Sequence, residues 1–234
     1  MGKQFFDELM KDYEQPNEEK FRVHLGETEI GQVVELGARQ MGHTLISGMS
    51  QAGKSTMTKH IMRSIVAFGQ VAVYSPKSQD YVEFHEGAYI TSDMKKFGAV
   101  IRKAVGTLER RNKASLIKSM QAGCTVNDDN APIYIVIDEF RTFIESCDKA
   151  TDMALKRLVA EGAGLNIFLI LIAQTAHKKI FSDGLKDSMM TLIAFKARDT
   201  YASRAAILSR KAEYIELRQC IVKNVDKEWL ITDY

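Results

Sequence analysis

The stretch Gly48-Met49-Ser50-Gln51-Ala52-Gly53-Lys54-Ser55 decides the fold of this 234-residue chain. It fits the pattern G-x-x-x-x-G-K-[ST]. The preceding residues Thr44–Ser47 are typical of a buried strand, and Lys54–Phe68 of a helix that Gly69 would end. Glycine is needed in such a turn where a side chain would block the approach of a phosphate or where φ is positive. Strand, glycine loop and helix together predict a phosphate-binding loop, and they disfavour the alternative of a turn that merely caps a helix.

The chemistry of this loop predicts ATP and Mg²⁺ as its cofactors. Backbone N–H groups and the helix N-terminus would surround the phosphates. Lys54 would reach the β- and γ-phosphates, and the Ser55 hydroxyl would coordinate Mg²⁺. The predicted nucleotide-binding residues are Gly48, Met49, Ser50, Gln51, Ala52, Gly53, Lys54, Ser55 and Thr56.

A second part of the site is predicted at Ile133–Ile137, a strand apolar throughout, which Asp138 and Glu139 follow. We expect this strand to neighbour the one that leads into the loop, with its carboxyl end at the edge where ligands bind. Asp138 would then join Ser55 in holding Mg²⁺, and Glu139 would act as the general base. Alternatively, the two carboxylates only suit the dipole of a following helix.

Gln174 follows another apolar strand, Ile167–Ile172, and would sense the γ-phosphate if that strand lies beside the loop strand. A polar residue at a strand end is also simply common. The predicted catalytic residues are therefore Glu139, Lys54 and Gln174.

The rest of the chain alternates strands with helices, which predicts an α/β fold with a mainly parallel sheet sandwiched by helices. Residues 1–20 are polar and acidic and are predicted to be an appendage or linker, with one domain over residues 21–234. Further strands are predicted at Phe21–Leu25, Val33–Leu36, Val71–Tyr74, Ala88–Ile90 and Met190–Phe195, further helices at Thr151–Ala160 and Ala202–Leu208, a polar loop at Thr125–Asn130, and a closing hairpin at Cys220–Val222 and Trp229–Ile231 with its turn at Asn224–Asp226.

A long helix is predicted from an N-cap at Ser92 to about Met120. Its apolar positions share one face, which we expect to be buried. The opposite face carries Glu109–Arg111 and Lys113. The apolar positions are Phe97, Val100, Ile101, Val105, Leu108 and Leu116.

Charge and composition exclude several classes of protein. With 32 Lys+Arg against 30 Asp+Glu, the formal net charge of +2 is not that of a strongly basic polyanion-binding protein. The 3 cysteines are far apart and predict neither a disulfide framework nor a zinc site. The longest apolar run, Leu165–Ala173, is about half of what a spanning helix needs, and the start shows no secretory signal. The five histidines have no nucleophile partner in sequence and are assigned no catalytic role.

Taken in order, these motifs resemble the FtsK/SpoIIIE group of ring-forming P-loop ATPases. The resemblance also covers Leu25–Glu27, Gly162–Ile167, Ile193–Lys196 and Ala202–Leu208, and it runs from about residue 21 to the C-terminus. Within the group, the sequence is most similar to the last ATPase module of the tandem ATPases of type VII secretion, the EssC and EccC proteins. The resemblance implies a RecA-like fold.

The resemblance also implies a function and partners. It implies an ATP-binding, slowly hydrolysing module on the cytoplasmic side of a membrane-anchored secretion motor. Its implied partners are small helical secreted proteins, neighbouring ATPase modules of the same longer chain, and copies of itself in a ring. An arginine acting in trans is expected of ring ATPases, with Arg198 and Arg204 as candidates by position.

Two departures from the motor pattern predict slow turnover rather than weak nucleotide binding. Ser75–Lys77 stands where motor ATPases carry Asp-Pro-Lys, and Ala173–Thr175 lacks the arginine of Thr-Gln-Arg.

Two other functions stay open at this point. A double-stranded DNA translocase, the other activity of the group, would use the basic stretch Lys95–Lys118, although the near-zero net charge makes DNA the less expected cargo. A nucleotide-bound adaptor that does not hydrolyse ATP would use some of the 11 methionines as a deformable surface for helical peptides.

Overall fold

The computed structural model describes residues 21–124, 130–176, 184–225 and 227–234. In this part of the chain, ten strands form one sheet in the order β2-β1-β10-β9-β8-β3-β7-β6-β4-β5. The strands are β1 (Arg22–Thr28), β2 (Val33–Gly37), β3 (Thr44–Ser47), β4 (Gln70–Tyr74), β5 (Ala88–Thr91), β6 (Ile133–Ile137), β7 (Ile167–Ala173), β8 (Thr191–Phe195), β9 (Cys220–Asn224) and β10 (Lys227–Asp233).

The sheet has a parallel part and an antiparallel part. The six strands from β8 to β5 pair in parallel, and β9, β10, β1 and β2 extend the sheet in antiparallel pairs. The α/β, RecA-like architecture and both predicted hairpins are therefore confirmed. The predicted turn of the second hairpin includes Asp226, which lies outside the described residues, as does most of the predicted loop Thr125–Asn130.

Six helices are described, and they cover both faces of the sheet. They are α1 (Ala38–Met41), α2 (Lys54–Ile65), α3 (Met94–Ala122), α4 (Phe140–Ser146), α5 (Lys149–Glu161) and α6 (Thr200–Ile207). The side chains of β6 alternate between the two faces of the sheet. Ile133, Ile135 and Ile137 pack in the core beneath α3 to α6, whereas Tyr134 and Val136 pack beneath α1 and α2. Short 3₁₀ segments span Ser78–Phe84, Ala163–Leu165 and Lys211–Glu213.

Helix α3 differs from its predicted form at three places. Its N-cap is Asp93, not Ser92, because the Asp93 carboxylate accepts hydrogen bonds from the N–H groups of Lys95 and Lys96. Leu116 is 60% exposed, since the C-terminal part of the helix extends past the core. Arg111, predicted on the solvent face, is buried: its guanidinium donates to the carbonyls of Leu165 and Ala131, at 2.8 Å each.

The ends of the other helices also differ from the predictions. Helix α2 ends at Ile65 rather than near Phe68, and Gly69 donates back to the Ile65 carbonyl at 2.8 Å. Helix α5 begins at Lys149, because the Asp148 carboxylate caps the N–H of Thr151. Helices α1 and α4 were not predicted; both are shorter than eight residues.

Candidate functional site

The glycine loop lies between β3 and α2 and has the backbone geometry that its sequence predicts. Gly48 and Gly53 have φ angles of 151° and 116°, a region that side chains disfavour. A Cβ on Gly48 would lie 2.5 Å from the Cβ of Phe195, and one on Gly53 would lie 2.2 Å from the Tyr234 hydroxyl. Glycine is therefore required at both positions, by conformation and by space.

Lys54 begins α2 and bends back over the loop. Its Nζ donates to the Met49 carbonyl at 2.8 Å. Burial lowers the pKa of Lys54, and the negative charges of Glu139 and Asp138 oppose that shift. The side chains of Ser55 and Thr56, the next two predicted ligands, are exposed. The loop thus presents one cation and a free helix N-terminus at the same edge of the sheet.

Asp138 follows β6 and is held by three donors. Its Oδ2 accepts from the Ser75 hydroxyl and the Tyr81 hydroxyl, both at 3.1 Å, and its Oδ1 accepts from the Glu139 N–H at 3.0 Å. Burial raises the pKa of Asp138, whereas the hydrogen bonds from Ser75 and Tyr81 favour the ionised carboxylate. Sequence reasoning missed the role of both donors. Ser75 was visible as a departure from the motor pattern, but no pattern singles out Tyr81.

Glu139 and Gln174 meet at the ends of two adjacent strands. Glu139 is the N-cap of α4 and has φ 54° and ψ 50°, a left-handed conformation that is strained for a residue with a side chain. The Gln174 Nε2 donates to the Glu139 carboxylate, at 3.3 Å from Oε1 and 3.5 Å from Oε2. The sensor prediction requires that the strand before Gln174 lie beside the loop strand, and β7 does pair with β3.

The expectation that β6 neighbours the loop strand is wrong. Strand β7 lies between them, since Ser47 pairs with Ala173 and Ile137 pairs with Leu171. All three strands are parallel and end at one edge, so the loop, Asp138 and Gln174 still come together. The insertion of β7 is what brings Gln174 into contact with Glu139.

A cavity of about 250 Å³ opens beside the first residues of the loop. Gly48, Ser50, Gln174 and Arg198 are among the residues that line it. Arg198 therefore lies on the rim of the chain's own loop, whereas Arg204 is an exposed residue of α6 outside this lining.

Most histidines lie away from the loop. His43 is buried, and its Nδ1 accepts from the Leu169 N–H at 3.0 Å. The rings of His24, on β1, and His60, on α2, share a hydrogen bond of 2.8 Å. His85 is exposed, and His177 lies outside the described residues. Among the described residues, no group of three or more His, Cys, Asp or Glu side chains could hold a metal ion.

No family model matches the chain, but similar sequences and folds are known. The FtsK domain-containing protein YdcQ of Bacillus subtilis is 29% identical over 161 residues, which are 63% of this chain and 33% of YdcQ. The DNA translocase FtsK of Sporosarcina ureae is 23% identical over 221 residues, 85% of this chain and 28% of that protein. The chain thus spans about a third of the length of these curated relatives.

Solved structures with the same fold include a conjugation coupling protein and the ATPases EssC and EccC. The conjugation coupling protein TcpA of pCW3, solved with ATPγS, superposes with a TM-score of 0.78 at 17% identity, covering 95% of this chain and 67% of TcpA. ATPases 2 and 3 of EssC from Geobacillus thermodenitrificans give 0.76 at 16%, covering 94% and 46%. Thermomonospora curvata EccC, in complex with a signal sequence peptide, gives 0.71 at 19%, covering 92% and 42%.

The fold and the glycine loop together resemble those of RecA-like P-loop ATPase modules. More particularly, the chain resembles the FtsK/SpoIIIE type, with a fold similar to the ATPase domains of EssC. None of the helices within the described ranges has the length and apolar character to cross a bilayer.

Proposed function

We propose that this chain is an ATP-binding, slowly hydrolysing coupling module of a type VII protein-secretion motor. The observation that carries the ATPase part is the convergence of Lys54, Asp138, Glu139 and Gln174 at one sheet edge beside the glycine loop. An ATPase of this kind needs a phosphate cradle, a cation, and a carboxylate placed to orient water, and each has a residue here. The nucleotide set is Gly48 to Thr56, as the sequence predicts.

The oxygen ligands at this edge fit Mg²⁺. Ser55 is exposed, and the Asp138 carboxylate is held through Oδ2 by Ser75 and Tyr81, whereas its Oδ1 accepts from the backbone N–H of Glu139. Hydroxyl and carboxylate oxygens are the ligands that Mg²⁺ takes alongside phosphate and water. Bound Mg²⁺ would neutralise charge on the phosphates. Glu139, oriented by Gln174, would accept the proton of the attacking water.

Two observations on α3 favour the secretion motor over a DNA translocase. The fold itself does not decide between them, since it superposes over more than nine-tenths of this chain on EssC and EccC and on the conjugation coupling protein TcpA alike. One cation of the basic stretch of α3 is neutralised, because Arg102 pairs with Asp148 at 3.4 Å. Arg111 points inward. We therefore propose helical secreted proteins as partners, with further ATPase modules and copies of the chain as assembly partners, and a cytoplasmic position beside a cell membrane. Residues 1–20 would serve as the link.

DNA translocation is the second candidate, because the sequence relatives include DNA translocases named FtsK. Motor proteins that track DNA bind it through phosphates, and their affinity falls steeply as salt rises. Nucleotide binding does not distinguish the two functions, but cargo does.

Calorimetric titration of the full chain with Mg-ATP tests the ATPase assignment. We expect binding by the wild type and loss of binding in Lys54→Ala, with Lys59→Ala on the same helix as a control that binds normally. Equal affinity of the Lys54→Ala variant would refute the site. For the cargo, the chain is titrated with type VII signal-sequence peptides and with duplex DNA at two salt concentrations. DNA binding with a steep salt slope and no peptide binding would favour translocation.

A further inference from the structure

The side of the loop on which the nucleoside must lie follows from the sheet order. Glu139 and Gln174, at the ends of β6 and β7, mark the γ-phosphate end of the proposed nucleotide. Strands β8 and β9 lie on the other side of β3. A phosphate chain lying along the loop with its γ end at β7 therefore directs its nucleoside toward β8 and β9. This step rests on the proposed ATP site.

A tight turn before β9 covers the loop on that side. The N–H of Arg218 donates to the carbonyl of Ala52, within the loop, at 3.1 Å. The turn is closed by the Glu216 N–H, which donates to the Gln219 Oε1 at 3.0 Å. Arg218 has a φ of 68°, which is unfavourable for a residue with a side chain. Glycine would hold this turn without strain, so the turn itself gives no reason for an arginine.

Tyr234 lies on the same side of the loop and is fixed by its surroundings. Its hydroxyl packs against Gly53, and its ring meets Phe195 edge-on, with centroids 5.8 Å apart. Gly26 allows this placement, because a Cβ there would lie 2.3 Å from the Asp233 carbonyl. Burial raises the pKa of Tyr234 to about 12, and the positive charge of Arg218 opposes the shift. Arg218, through Ala52, and Tyr234, through Gly53, thus both contact the loop.

We propose that Arg218 is the nucleoside-binding residue of this site, with its guanidinium stacked on the base, and that Tyr234 forms the wall behind it. The Arg218 side chain is exposed, and within the described ranges it makes no hydrogen bond or ion pair. A planar guanidinium suits stacking on an aromatic face. Leu217, 60% exposed in the same turn, adds apolar contact. The strained backbone at Arg218 is the cost of presenting this side chain to the base.

The variant Arg218→Gly separates this function from folding. It removes the side chain but keeps the N–H that binds Ala52, and it relieves the left-handed strain. We expect its melting temperature to equal or exceed that of the wild type, while its Mg-ATP affinity falls roughly tenfold, as loss of one stacking contact predicts. Its affinity for magnesium tripolyphosphate, which has no nucleoside, should stay within about twofold of the wild type.

Three controls complete the experiment. Val225→Gly relieves a similar left-handed angle, φ 49°, at the opposite edge of the sheet, and should change neither affinity. Arg218→Lys keeps the positive charge but lacks the planar guanidinium, so it should lose part of the ATP affinity. This variant tests the stacking role of Arg218 if the glycine variant fails to fold. Lys54→Ala should lose both ligands.

The outcomes that overturn the proposal are distinct from failure of the site. Unchanged ATP affinity in both Arg218 variants, or an equal loss of tripolyphosphate, refutes the role of Arg218 while the phosphate site stands. A wild-type chain that binds neither ATP nor tripolyphosphate refutes the proposed function and this inference together.

Discussion

The side-chain amide of Gln174 lies 3.3 Å from the Oε1 of Glu139, joining the ends of two parallel strands across the sheet edge. The same amide lines the cavity beside the glycine loop. If Gln174 senses the γ-phosphate as we propose, the same side chain also holds Glu139, and a change in either residue should affect hydrolysis more than binding.

Glu139→Gln should keep Mg-ATP affinity within about threefold and slow hydrolysis roughly a hundredfold, because the amide cannot accept the proton of the attacking water. Gln174→Ala should slow it roughly tenfold by freeing Glu139. Single-turnover hydrolysis at enzyme concentrations above the Kd measures both. Glu145→Gln, on the same helix α4 and paired with Arg141, is the control that should turn over normally. Wild-type turnover in Glu139→Gln would remove Glu139 from the mechanism.

Arg198 should act on the nucleotide of its own chain, since it lines the cavity beside its own loop. Mixing chains tests this after oligomerisation is enforced by a fused coiled coil. A mixture of Arg198→Ala with Lys54→Ala chains should stay inactive, because the chain that binds ATP lacks the arginine. Arg204 is the remaining candidate for action in trans, and Arg204→Ala mixed with Lys54→Ala should regain activity. Recovery in the Arg198 mixture would instead show that Arg198 crosses the interface.

His43 should make the fold sensitive to acid. Burial lowers its pKa to about 4, opposed by the carbonyls of Val159 and Leu158, whereas an unfolded histidine titrates near 6.5. Between these values the unfolded chain binds more protons, so stability is full above pH 6.5 and is lost as pH falls toward 4. The loss from this group is about 3 kcal/mol.

Urea unfolding at pH 7, 5.5 and 4.5 measures this loss. His43→Asn keeps an acceptor for the Leu169 N–H and cannot titrate, so its stability relative to the wild type should improve steadily as pH falls. His85→Asn, at an exposed site, should track the wild type. A parallel pH dependence of the wild type and His43→Asn would contradict the assignment.

Arg111→Met should lower the free energy of unfolding by about 3 kcal/mol, because it leaves buried carbonyls of Leu165 and Ala131 without their charged donor. Arg110→Met, one residue away on the exposed side of α3, should change it by about 0.5 kcal/mol or less. Chemical denaturation of the two variants gives the comparison, and equal effects would mean that the buried contacts contribute little.

The sequence was informative where burial and periodicity coincide. Ile133–Ile137 is apolar at every position because both of its faces are covered, and it was predicted with its observed bounds. Arg111 was misplaced because three charged neighbours in sequence suggested solvent, while its actual partners are carbonyls at the start of β6 and β7. Helix α4 was missed because its seven residues begin in a left-handed turn at Glu139, which no helix-start pattern describes.

The candidate site, too, could be predicted from the sequence only in part. The loop and its three polar partners could be predicted, because each follows a recognisable strand or motif. The order of the strands could not be predicted, so the position of β7 between the loop strand and β6 could not be predicted either. Tyr81 and Arg218 reach the site only through the path of the folded chain: one from a 3₁₀ segment, the other from a strained turn.

The hairpin of β1 and β2 is connected to the glycine loop through two sets of contacts. His24 holds the ring of His60 on α2, and the bare Cα of Gly26 receives the end of β10, whose next residue rests on Gly53. The hairpin is thus connected to the loop by contacts that do not involve the parallel strands. A displacement of this hairpin would therefore reach the loop at two places at once, through α2 and through Tyr234.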